Sequence, residues 1–134
     1  MLRISNLKIG ENTYQMHKQI IFEWEKEIIS WNKIYSTPHW TVRSKLKERW
    51  VKFFEDQFSK YDKIEFSEFQ IKIYHNTRID VDNVALSKFC ADFMRKDGWV
   101  KDDNKKYYKG YSCFVDEELP KNGIKVVISG YEID

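Results

Sequence analysis

The chain has 134 residues, about the size of one domain, and 42% of them are hydrophobic and 16% aromatic, which supplies a real core and excludes a disordered tail. Its 23 basic and 21 acidic residues leave a net charge of +2, which excludes a uniformly basic, histone-like binder; a nucleic-acid partner requires the charge to be segregated onto one face. The N-terminal stretch MLRISNLKIGENTYQ has no long apolar run, no segment approaches the ~20 apolar residues of a membrane span, and Cys90 and Cys113 form no CxxC, so the expectation is a soluble cytoplasmic protein with reduced thiols and no membrane partner.

The first element expected is a strand over 18–29, with Ile20, Phe22 and Trp24 on one face and Glu23, Glu25 and Glu27 on the other. A helix follows over about 41–61, where Leu46, Trp50, Phe53, Phe54 and Phe58 form an apolar stripe and Lys45, Arg49 and Lys52 project away from it. A second strand runs over 66–74, with Phe69, Ile71 and Ile73 inward. A second helix covers about 83–96, burying Leu86, Phe89, Cys90, Phe93 and Met94, with Gly98 as its C-terminal stop. Two last strands, about 107–115 and 124–131, are expected to form an antiparallel hairpin around a longish connection containing Asn122-Gly123. Pro38 and Pro120 fall in loops, and no linker divides the chain. The expected fold is therefore α+β, a single domain over 1–134 with two helices on a small mixed sheet, in the approximate order β-α-β-α-β-β.

The sharpest chemical feature is Asp80-Val81-Asp82-Asn83, where a strand gives way to a helix. In an extended segment, residues i and i+2 point to one side, so Asp80 and Asp82 would present two carboxylates together. Asp102-Asp103 follows in the loop after that helix. Carboxylates held close repel one another, and a divalent cation relieves the repulsion; oxygen-only ligands suit Mg²⁺ or Mn²⁺. The competing explanation is ordinary: Asp82 or Asn83 as a helix N-cap, and Asp102, Asp103 and Asn104 as turn residues. Lys88 lies one to two turns into the expected helix, either reaching a phosphate as a point charge or solvated and paired with Asp92 at i+4. Arg43, Lys45, Lys47, Arg49 and Lys52, then Arg78, then Lys101, Lys105, Lys106 and Lys109, are candidates for tracking DNA phosphates. His17, His39 and His75 are scattered, without the spacing of a zinc site.

Taken together, DVDNVALSKFCADFMRKDGWVKDD resembles the signature of the RusA family of Holliday junction resolvases: Asp-x-Asp-Asn, a helical Lys, an Asp four residues on, a Gly near the helix end, then paired Asp. Those positions are Asp80, Asp82, Asn83, Lys88, Asp92, Gly98, Asp102 and Asp103. Upstream, Asn32-Lys33-Ile34-Tyr35 and His39-Trp40-x-x-Arg43 look like the N-terminal element of phage-type members. Two more residues separate Asn83 from Lys88 than in the short form of the pattern. Either the helix begins later, near Ala85, or Lys88 is not the family's lysine. The resemblance implies a homodimeric endonuclease of a bacterial or phage-infected cytoplasm that makes paired symmetric nicks in four-way DNA, leaving 5′-phosphates. It implies Asp80, Asp82 and Asp103 as ligands of Mg²⁺ (or Mn²⁺), with Asp102 a further candidate, Lys88 at the scissile phosphate, and Asn83 fixing the loop or capping the helix. The alternatives are a nuclease for flaps or forks, a non-catalytic DNA-binding module on the same fold, and a small interaction protein with no nucleic-acid role.

Overall fold

A computed structural model describes residues 6–9, 13–26 and 40–133. Its elements are β1 (Asn6–Ile9), β2 (Thr13–Glu25), α1 (Trp40–Phe58), β3 (Phe66–His75), a 3₁₀ turn (Val81–Asn83), α2 (Leu86–Lys96), β4 (Tyr108–Val115) and β5 (Gly123–Glu132). The five strands form one mixed sheet in the order β1-β2-β5-β3-β4, in which only β3 and β4 are parallel. The α+β architecture with two helices on a small mixed sheet is as expected, with β1 as an additional strand and β2 beginning at Thr13 rather than Lys18. Glu27, Ile28 and Ile29, and the motif residues 32–39, lie outside the described residues.

Alternation along the strands sets the core. Ile20, Phe22 and Trp24 stand opposite Ile128, Val126 and Ile124, which stand opposite Ile71, Ile73 and His75, so one face collects the large apolar side chains. Both helices cover that face. Phe58 of α1 has its ring 5.8 Å from Phe22, 5.1 Å from Phe93 of α2 and 5.0 Å from Trp99, tying sheet, both helices and the following loop into one cluster. Past β1, the edge of β2 is closed by Tyr61, whose hydroxyl accepts from the Ile21 amide at 3.0 Å and donates to its carbonyl at 2.6 Å.

The expected β4–β5 hairpin does not form. β4 and β5 flank β3 on opposite sides, and the connection 116–122 steps over the end of β3. Two inter-strand spacings amount to roughly 10 Å, an easy span for that length, whereas a tight Asn-Gly turn would force adjacency. Asn76 holds the crossover: its amide donates to Gly123 O at 2.9 Å, its carbonyl accepts from the Asn122 amide at 2.7 Å, and its side chain donates to Leu119 O at 2.9 Å. β3, α2 and β4 thus form a parallel crossover unit, with the acidic sequence on both sides of its helix.

Candidate functional site

β3 ends at His75, which continues the inward phase of Phe69, Ile71 and Ile73 and is fully buried. Its Nδ1 lies 2.9 Å from the Thr77 hydroxyl oxygen, which in turn accepts from the Ile79 amide at 3.2 Å. This short chain of contacts orders the segment that delivers Asp80. The His75 Nε2 is buried without a hydrogen-bond partner, and burial lowers the imidazole pKa below its usual value. Sequence reading passed over His75 as one of three scattered histidines; its in-phase position two residues after Ile73 was the available signal.

Asp80 is extended (φ −68°, ψ 145°) and precedes the 3₁₀ turn without making a side-chain capping bond. Asp82 lies inside that turn, and both residues are exposed. Because 81–83 is 3₁₀ rather than extended, the two-residue rule that would place both carboxylates on one side does not hold here. The Val84 amide closes the turn on Val81 O at 3.4 Å, and α2 begins only at Leu86, with Ala85 in the N-cap position. The N-cap position therefore falls two residues after Asn83, at Ala85, and neither aspartate occupies it. The later start puts Lys88 in the first turn of the helix, not one to two turns in. Lys88 is exposed and paired with Asp92 at 3.4 Å, the i+4 partner expected for a solvated lysine.

At the other end of α2, Asp103 sits 3.6 Å from the Arg95 guanidinium and is partly buried. Asp102 folds onto its own turn: one carboxylate oxygen accepts from the Asp103 amide at 2.7 Å and the other from the Asn104 side chain at 3.0 Å. The loop is tied to β3 through the Phe66 amide on Trp99 O at 2.8 Å and the Phe69 amide on Tyr107 O at 2.8 Å.

β4 is common ground for both acidic segments. The 3₁₀ turn packs against it, and Asp103 lies near its first residue, Tyr108. That phenol is stacked on Phe69 at 4.8 Å, and its hydroxyl is buried beside Ser87 of α2 without completing a hydrogen bond. Burial pushes the Tyr108 pKa up, and nearby Cys90, Tyr111 and Asp103 push the same way against Ser87. The fold brings the acidic turn and the Asp102-Asp103 loop to one strand. It does not gather them: among the described residues no group of three or more His, Cys, Asp or Glu side chains is placed to hold a metal ion.

The basic candidates are all on the surface. Arg43, Lys45, Lys47, Arg49 and Lys52 are exposed on α1, Arg78 just before the acidic turn, and Lys101, Lys105 and Lys106 in the loop entering β4. The Lys106 ammonium lies 5.5 Å from the Tyr107 ring centroid, and Lys109 pairs with Glu68 at 3.7 Å. Among the described residues no helix is long and apolar enough to cross a membrane. No protein-family model and no curated protein matches the chain.

For a hard divalent cation the donor chemistry fits at Asp80 and Asp82, whose carboxylates are exposed and not used as caps. Asp103 is held by Arg95 instead, through a pair exposed enough to be worth little.

Proposed function

We propose that this protein is a metal-dependent endodeoxyribonuclease acting on branched DNA, with the four-way junction as its preferred substrate. The observation that carries the reading is that Asp80 and Asp82 stand exposed and uncapped in a 3₁₀ turn at the mouth of α2, within the Asp-x-Asp-Asn spacing that resembles the RusA signature. A carboxylate pair at a helix start normally caps it; these do not. The start of α2 at Leu86 supports Lys88 as the lysine of that pattern, since the two added residues are taken up by the 3₁₀ turn and its exit.

On this reading Asp80 and Asp82 hold Mg²⁺ or Mn²⁺, and Asp103 joins them by exchanging its weak pair with Arg95. When bound, the ion supplies Lewis acidity toward water and phosphoryl oxygens. Lys88 leaves Asp92 for the phosphate, placing a point charge where negative charge builds up during displacement. Arg78, Lys101, Lys105 and Lys106 bind the DNA backbone around the cut, and Arg43, Lys45 and Arg49 extend the contact along α1. Phosphate contacts of this kind carry no sequence preference and weaken steeply with salt.

The Arg95–Asp103 pair and the ungathered carboxylates favour one rival, a DNA-binding module that does not cut. Nicking of a synthetic four-way junction, beside a flap and a linear duplex, separates them. The nuclease cuts the junction with Mg²⁺ or Mn²⁺, binds without cutting in Ca²⁺, and stops in EDTA. Binding without cutting in every metal selects the module, and preferential flap cutting moves the substrate.

A further inference from the structure

β3 is an interior strand, flanked by β5 and β4, yet its Gln70 and Lys72 are exposed. Alternation points them away from Ile71 and Ile73, so the face of the sheet opposite the helices is open there. Aromatic rings stand at both ends of that face. At one end Tyr131 meets His17 edge-on at 5.5 Å; at the other Tyr74 stacks on Phe114 at 6.0 Å, and Phe114 is 52% exposed. Tyr131 and Lys125, the cross-strand neighbour of Tyr74, are six residues apart on β5, which is about 20 Å. Between the aromatic ends lie Lys72 and an amide–hydroxyl pair, with Gln70 Nε2 donating to Ser129 Oγ at 3.4 Å. A cavity of about 200 Å³ opens between Tyr131, His17, Gln70, Ser129 and Lys109. Beside it Gly110, the β4 neighbour of Gln70, contributes no side chain, and nothing stands within 4 Å of where its β-carbon would be. Glu68 and Glu23 on this face are held by Lys109 at 3.7 Å and Lys125 at 4.0 Å, and Lys72 adds an exposed positive charge.

We propose that this open sheet face binds single-stranded nucleic acid, with one base in the cavity beside Tyr131 and another stacked on Phe114. An unpaired base offers an apolar face and a polar edge. Aromatic side chains on a sheet take the faces, and the Gln70 amide and Ser129 hydroxyl, each both donor and acceptor, take the edge. Lys109, Lys72 and Lys125 supply the charge for the phosphates between. A duplex hides its base faces and offers mainly phosphates, which this modestly basic face answers poorly. A protein partner is a poorer fit as well: between the aromatic ends only Ile21 and Val127 are aliphatic, too little for the apolar centre of an interface. The proposal does not rest on the nuclease reading. On that reading the face grips an unpaired strand leading to the acidic turn, because Tyr74 and Phe114 lie at the end of the sheet from which the chain runs on to Asp80.

The test is fluorescence anisotropy on the intact chain with a labelled oligothymidylate of about 12 nucleotides, within the site sizes of single-strand-binding folds, beside a duplex of the same length. Both are measured in EDTA, so neither cutting nor metal binding enters the readout. The single strand should bind with a Kd at or below about 100 µM, the weak end of non-specific nucleic-acid binding. Phe114→Ala should lower the ratio of single-strand to duplex affinity about tenfold, as for one lost base stack, with an unchanged thermal midpoint because the ring is exposed. Gln70→Glu, also at an exposed position, should lower the same ratio by setting a carboxylate at the cavity. Lys72→Ala should make the salt dependence of single-strand binding shallower by about 0.7 in log–log slope. No binding of the single strand, or a ratio unchanged in both Phe114→Ala and Gln70→Glu, would overturn the proposal. Equal losses on both DNAs would overturn it too and assign the face to phosphate contact alone. Thymidine monophosphate competing as strongly as the oligonucleotide would overturn it by reducing the face to a mononucleotide pocket. Because metal is absent throughout, failure here leaves the carboxylate site untouched, and failure of that site leaves this binding untouched.

Discussion

At its C-terminal end α2 is finished in every respect, whereas at its N-terminal end almost nothing is. Past Lys96 the chain turns through Gly98 at φ 83°. The Trp99 amide donates to Met94 O at 2.8 Å and the Gly98 amide to Arg95 O at 3.4 Å, the paired closure of a Schellman motif. Arg95 and Lys96 in the last turn suit the negative end of the helix. The Trp99 indole donates to the Asp97 carboxylate at 2.9 Å, and Lys63 reaches both that carboxylate, at 3.6 Å, and the Asp97 carbonyl. At the other end the N-cap is Ala85 with no side-chain bond, there is no acid in the first turn, and Lys88 sits at the end where a cation is least favoured. Two aspartates that would make good caps stand just outside, uncommitted. One end of the helix is overdetermined, and the other leaves Asp80 and Asp82 outside it without a capping role.

If that contrast is right, changes at the two ends should separate stability from activity. Trp99→Ala should have the largest effect on folding, about 3–5 kcal/mol as for other buried aromatics, because the ring is buried and packs on Phe58 at 5.0 Å; urea unfolding checks it. Gly98→Ala should cost about 1–2 kcal/mol for a β-carbon at positive φ, with no change in any DNA-dependent property.

His75 links the core to the segment that leads into the acidic turn. Its imidazole is neutral in the folded chain because burial lowers its pKa, while the unfolded chain takes up a proton at about 6.5. Protonation therefore favours unfolding: the contribution is flat above that value and stability falls as pH drops below it, by at most about 1.4 kcal/mol per pH unit. His75→Phe should flatten urea midpoints between pH 6.5 and 5.

The smallest effect on folding belongs to Lys88→Ala. The exposed pair with Asp92 is worth about 0.3–0.5 kcal/mol, and removing a cation from the first turn returns a similar amount. Stability should stay within about 0.5 kcal/mol, while nicking falls sharply if the lysine meets the phosphate; a change under about threefold would return it to the solvated surface.

Much of this fold was legible because period and burial agree. The alternation of Ile20, Phe22 and Trp24, the stripe from Trp50 to Phe58, the inner face of α2 and the stop at Gly98 all follow from local pattern. What local pattern could not show was partnership. β4 reads as a strand, but its place beside β3 is decided by the crossover that Asn76 holds, so the adjacent-hairpin expectation failed. β1 is only four residues long and β2 opens with Thr13, Tyr14 and Gln15, too little apolar alternation to mark a strand. At the site, the acids were visible and their geometry was not. The 3₁₀ turn replaced the extended segment at Asp82, and the Arg95 pair of Asp103 arises from a loop folding back on the helix it follows.

The most direct test of the proposed site is Asp82→Asn, measured twice on the same preparation. Thermal unfolding should match wild type within about 0.5 kcal/mol, as for an exposed, uncapped position. Mg²⁺-dependent nicking of a four-way junction should fall at least ~10²-fold with junction binding retained or tightened. Wild-type nicking in the variant, or a large loss of stability in its place, would contradict the account and make Asp82 a structural residue after all.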